Sequence, residues 1–92
     1  TAMTAIAHDP ARQRFTTEAD GQAACLEYER AVGLMTITHT IVPPDIGGRG
    51  IAGDLVRTAL EYARAEGVKV TPRCSYADGW MRKHPEYDAL RA

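Results

Sequence analysis

Thr38-His39-Thr40-Ile41-Val42-Pro43-Pro44-Asp45-Ile46-Gly47-Gly48-Arg49-Gly50-Ile51-Ala52-Gly53-Asp54-Leu55-Val56-Arg57-Thr58-Ala59-Leu60 changes its period part-way along. Thr38, Thr40, Ile41 and Val42 belong to a β-rich run that Pro43-Pro44 stops, because proline supplies no N–H to a strand ladder. Beyond the glycines, Ala52, Leu55, Val56, Ala59, Leu60 and Ala63 recur at helical spacing, with Asp54, Arg57, Glu61 and Arg64 on the other side. The order is strand, glycine turn, amphipathic helix. A helix start leaves backbone N–H groups without intrahelical acceptors and carries partial positive charge, so this turn reads as a cradle for phosphate. Gly47, Gly48 and Gly50 suit that use, since glycine permits positive φ and keeps side chains clear where a ligand touches the backbone.

Upstream, Arg12 to Glu18 predicts a first strand with Phe15 inward, and Ala19-Asp20-Gly21 the turn that follows. In Ala23 to Arg30, Ala24, Leu26 and Tyr28 alternate with Cys25, Glu27 and Glu29, the period of a half-buried strand. Gly33 marks a second tight connection, and Leu34 to Val42 predicts a third strand. Residues 1–11 read as irregular, and Thr1-Ala2, ahead of Met3, are set aside.

Downstream, a helix over Arg49 to Glu66 is expected to end at Gly67, and Val68 to Thr71 predicts a fourth strand closed by Pro72. Ser75 is placed as the cap of a second helix that carries Tyr76, Trp80 and Met81 to about Lys83 and stops at His84-Pro85. A right-handed crossover sets the fourth strand beside the third, so the phosphate turn and the fourth-strand end share one edge of the sheet.

A chain of 92 residues has room for one domain, expected to span 1–92. Eleven Lys and Arg against twelve Asp and Glu give a net charge of -1, so no global basic field recruits nucleic acid. Cys25 and Cys74 stand far apart with no Cys/His grouping at zinc spacing, which argues against a disulfide scaffold or a metal and for a reducing cytoplasm. No apolar run reaches membrane-spanning length, and the N-terminus lacks signal-peptide order. A small sheet with an edge strand suits a monomer or a weak dimer.

Four ordered blocks carry a resemblance: His39-Thr40-x-Val42-Pro43, Gly48-Arg49-Gly50-Ile51-Ala52 with Leu55, Pro72-x-Cys74-Ser75-Tyr76, and His84-Pro85-Glu86-Tyr87. Together, from about Leu34 to Leu90, they resemble the small single-domain branch of the GNAT superfamily of N-acetyltransferases. The resemblance implies an α/β fold with a mixed, mostly antiparallel sheet and flanking helices. It also implies acetyl-coenzyme A as cosubstrate, lying where two parallel strands splay, and an amine of unknown identity as acceptor. Gly50 and Ala52 match the Gly and Gly/Ala positions of the family's pyrophosphate pattern, whereas Gly47 stands where the family has Arg or Gln. Arg49 is placed to supply the missing charge. The sequence that usually builds the substrate side is short here, which keeps open a non-catalytic coenzyme A-binding module.

By the same resemblance, backbone groups of Ile41 and Val42 pair with the pantetheine arm, and residues 47–52 hold the pyrophosphate. Cys74 follows the fourth strand where the thioester emerges; it takes the acetyl group, protonates the leaving thiolate, or merely fills the strand end. His39 is the general-base candidate, because histidine as a residue type exchanges protons near neutral pH, with a structural hydrogen-bonding role as the alternative. Tyr76 is a second proton donor, although with Trp80 it is expected to pack on the sheet. Lys83 and His84, after Arg82, either contact the 3′-phosphate or adenine or simply complement the helix dipole.

Overall fold

The computed structural model describes residues 5–92; the readings made for residues 1–4, Thr1-Ala2 among them, lie outside the described residues. The strands are β1 (Ala7–Asp9), β2 (Arg14–Ala19), β3 (Gln22–Ala31), β4 (Leu34–Ile41) and β5 (Lys69–Pro72), and the helices are α1 (Ile51–Glu66) and α2 (Ser75–Arg82). The sheet order is β1-β2-β3-β4-β5, antiparallel throughout except for the parallel β4–β5 pair. This is the expected mixed, mostly antiparallel sheet, with α1 crossing between its two parallel strands.

Local chemistry explains the turns. Asp20 and Gly21 both take positive φ (51° and 73°), the geometry of a two-residue type I′ hairpin between β2 and β3. Gly67 closes α1 in the left-handed region, its N–H reaching the carbonyls of Ala63 and Arg64 while Val68 N–H returns to Ala63 O. Phe15, Leu26, Met35, Ile37, Leu55, Val56, Leu60 and Val70 form the centre of the core, each nearly inaccessible to solvent. One sheet face and the inner stripe of α1 therefore bury each other, and α2 extends the same layer.

The segment expected to be irregular contains β1, a correction to that reading. Ala7, His8 and Asp9 pair with Thr16, Phe15 and Arg14, and the His8 ring stacks on Phe15 with centroids 4.2 Å apart. The edge of the sheet is thus held by an aromatic contact rather than by an apolar run. β2 begins at Arg14 rather than Arg12, because Gln13 adopts φ 52° in a turn closed by its N–H to Pro10 O. Past His84 the chain winds into a 3-10 segment, Pro85–Leu90, that buries Tyr87 against α1.

Candidate functional site

Two parallel strands part company in the middle of this sheet. β4 and β5 stay in register from Leu34–Lys69 to Ile37–Pro72. There β5 ends, and the N–H groups of Arg73 and Cys74 both donate to Ile37 O at 3.0 Å. Among the described residues, β4 runs on to Ile41 with no strand beside it on that side. The backbone from Thr38 to Val42 thereby borders a wedge whose apex is Ile37, Arg73 and Cys74.

A β-bulge lies in the same stretch. Tyr28 pairs with Ile37 but Glu27 pairs with His39, so Thr38 is an extra residue, and its hydroxyl donates to Glu27 O at 3.2 Å. An inserted residue reverses which face each later side chain takes. His39 consequently stands with Glu27 on the helix-free face, and Thr40 stands with Leu26 on the helix face. Nothing in the local composition marks this bulge, since no glycine or proline sits there.

Beyond β4, a short 3-10 turn (Pro44–Ile46) leads into the glycine segment. Gly48 and Gly50 use the freedom of glycine, with φ 78° and 80°, and Gly50 is the α1 N-cap. Gly47 has φ -66°, and its use is the missing side chain, because an added Cβ would lie 3.3 Å from Pro44 O. The first backbone bond into the helix is Asp54 N–H to Gly50 O. Among the described residues, no protein acceptor meets the amides of Gly48, Arg49, Gly50, Ile51 or Ala52. A cavity of about 280 Å³ opens here, lined by Val42, Ile46, the glycines, Ile51, Ala52 and Tyr76. Arg49 is bound at 2.6 Å to Asp20 of the β2–β3 turn, so its charge is shared with that hairpin.

Cys74 sits at the wedge apex and is itself the α2 N-cap; Ser75, expected there, is the first helical residue. Sγ of Cys74 is 3.5 Å from Thr40 Oγ1. Partial burial pushes the thiol up, but the Thr40 hydroxyl and the amides of Ala77, Tyr76 and Thr40 together outweigh that and leave it below the ordinary thiol value. Those amides favour the thiolate without closing a formal cap hydrogen bond. Tyr76, two residues on, borders the glycine segment instead of packing on the sheet; its hydroxyl is 3.5 Å from where a Cβ on Gly53 would lie. Burial first, and then the nearby Asp54, raise its phenol pKa, so the group stays protonated.

His39 lies across the sheet from these groups. Its Nδ1 is 3.4 Å from Glu27 Oε1, both side chains being well exposed. They border a broad cleft of about 510 Å³ on the helix-free face, together with Arg12, Glu29, Thr38 and Arg73. In the sequence, Arg73 stands only as the variable residue between Pro72 and Cys74. The sequence grouped Cys74, His39 and Tyr76; the fold brings Cys74 and Tyr76 to one face of the wedge and His39 to the other. Lys83 and His84 occupy the far end of α2. The His84 ring stacks on Trp80 at 3.6 Å and its Nδ1 donates to Trp80 O at 2.7 Å, so His84 is engaged in packing.

The family described as GCN5-related N-acetyl-transferase matches residues 14–90. The chain belongs to that family. Among curated relatives, Protein NATD1 of Gallus gallus is 34% identical over 84 residues, covering 87% of this chain and 76% of its own. Protein NATD1 of Homo sapiens is likewise 34% identical, with 74% of its length covered. The solution structure of a GCN5-like protein from Staphylococcus aureus superposes with a TM-score of 0.75 at 25% identity, over 100% of this chain and 91% of that one. The GNAT match spans β2 through the 3-10 segment, and therefore both sides of the wedge and the glycine turn. Of the described elements, only β1 lies ahead of it.

Proposed function

We propose that this GNAT domain binds acetyl-coenzyme A in the β4–β5 wedge and transfers the acetyl group to an amine that enters from the helix-free face. One observation carries the reading: among the described residues, a run of unpaired turn amides and a strand edge without a neighbour occupy the same end of the sheet. Five successive amides without acceptors among the described residues, at the N-terminus of a 16-residue helix, favour a diphosphate. The free edge of β4 and Val42 suits an extended amide-bearing arm, which would add to the sheet as a strand does.

When bound, acetyl-coenzyme A supplies an activated acyl carbon and a thiol leaving group. The protein's part is orientation and proton handling. Tyr76, held neutral by burial, donates its O–H toward the turn without repelling an anion there. Lys83, which forms no ion pair among the described residues, is the cation this reading gives to the 3′-phosphate. Cys74, more acidic than an ordinary thiol, is a competent acid toward a departing thiolate, and Thr40 keeps its Sγ turned to the wedge. On the other face His39 takes the proton of the incoming ammonium. With Nδ1 turned to Glu27, Nε2 is the atom left to accept it.

Calorimetric titration with acetyl-coenzyme A, followed by thiol release measured over a panel of amines, tests this reading. Saturable binding with acceptor-dependent thiol release is expected. Binding without release from any amine would favour the coenzyme-binding module instead.

A further inference from the structure

The cleft on the helix-free face carries charges of both signs in an order that selects an acceptor. Its wall on β3 and β4 holds Glu27, Glu29 and His39. Its floor at the wedge apex holds Arg73, whose backbone N–H is fixed to Ile37 O at 3.0 Å while its exposed side chain makes no ion pair among the described residues. Arg12, on the rim, reaches Asp9 only at 3.9 Å, and Arg14 stands opposite Glu27 in register just outside the lining. Arg73 and Cys74 are consecutive, and the chain passes through the apex between them, so an anion held by Arg73 lies beside the place proposed for the reacting carbonyl.

We propose that the acceptor is an α-amino acid or a close zwitterionic analogue, its carboxylate held by Arg73 and its ammonium by the Glu27–His39 pair. This rests on the acetyl-transfer reading above. Charge argues for the class. A polyamine would meet two guanidiniums with nothing to offer them, and a purely anionic acceptor would meet Glu27 and Glu29. A zwitterion satisfies both walls, and a guanidinium can take a carboxylate through two parallel hydrogen bonds. A volume of about 510 Å³ is ample for one amino acid.

The transfer balances in these groups. The ammonium gives one proton to His39 Nε2, and the freed amine forms the C–N bond as the thioester C–S bond breaks. The nitrogen then loses its second proton to solvent, the leaving sulfur takes the proton of Cys74, and Cys74 and His39 return to their starting states through solvent. The sum is one ammonium and one thioester in, and one amide, one thiol and one proton out.

The test compares each amino acid with its decarboxylated amine as acceptor, with acetyl-coenzyme A affinity measured on the same preparations. Amino acids are expected to be preferred in kcat/KM. Arg73→Gln is expected to lower their kcat/KM by ~10- to 100-fold, mainly through KM, and to bring the ratio to the decarboxylated amine near one. Arg73→Lys is expected to restore part of the preference. Where turnover is slow, amino-acid titration into the coenzyme-loaded protein, read at the His39 and Arg73 resonances, gives the same comparison by binding. Equal use of both acceptor sets, acetylation only of polyamines or of peptide lysines, or loaded protein whose His39 and Arg73 resonances ignore every amino acid would each overturn the proposal while leaving acetyl transfer intact. Failure to bind acetyl-coenzyme A at all would instead remove the reading beneath it.

Discussion

Thr40 and Cys74 meet at 3.5 Å across a gap where their strands have already ceased to pair. The Thr40 hydroxyl faces Cys74 only because the bulge at Thr38 turns it to the helix side. A bulge in one strand and a helix start after the next thereby produce a thiol more acidic than usual.

The two cysteines should therefore separate chemically. Cys74 lies below the ordinary thiol value, whereas burial and then Glu27 raise Cys25, only partly offset by Arg14. At neutral pH iodoacetamide should alkylate Cys74 well before Cys25, as read by peptide mass spectrometry. Thr40→Val should slow Cys74 and leave Cys25 unchanged, since the thiolate is the reactive species.

Cys74→Ala should retain acetyl-coenzyme A affinity and lose about a hundredfold in kcat, the scale of a missing general acid. Full turnover in that variant would return Cys74 to the core. An acetyl mass increment on Cys74 in the wild-type protein, without any amine present, would move the group from proton donor to acyl carrier.

Backbone strain should expose the turn. Gly50 holds φ 80°, and a Cβ there would meet nothing within 4 Å, so Gly50→Ala tests conformation without crowding. A loss of about 1–2 kcal/mol in stability is expected, read by urea denaturation. Coenzyme affinity should fall with it, because the neighbouring amides no longer hold the same turn.

Much of this architecture is legible in the sequence. Alternation in Ala24, Leu26 and Tyr28, the helical spacing from Ala52 to Ala63, and Gly67 placed the strands, the long helix and its end within a residue or two. β1 was hidden because Ala-His-Asp has no apolar period; it forms through His8 stacking on Phe15, a tertiary contact. The face taken by His39 was hidden for a similar reason. A bulge at Thr38 needs only a local backbone deviation and a hydroxyl bond to Glu27 O, neither of which composition records. Arg73 was overlooked because a residue between Pro72 and Cys74 looks like spacing until the chain is seen to turn there.

His8 gives the edge strand a pH dependence. Burial lowers its pKa from 6.5, against the raising influence of Asp9 and Glu66. The folded state thus resists protonation more than the unfolded chain does. Its contribution to stability is fully present above about pH 6.5 and is lost as the pH falls from there toward the lowered folded value. Melting temperature should drop between pH 7.5 and pH 5.5, and the His8→Phe variant should show a shallower drop.

The most direct test of the diphosphate cradle is a ¹H–¹⁵N titration of the assigned protein with acetyl-coenzyme A. The largest shifts should fall on the amides of Gly48, Arg49, Gly50, Ile51 and Ala52, followed by Ile41 and Val42 along the free edge of β4. Shifts gathered on the far end of the sheet, with those turn amides unmoved at saturation, would contradict the account.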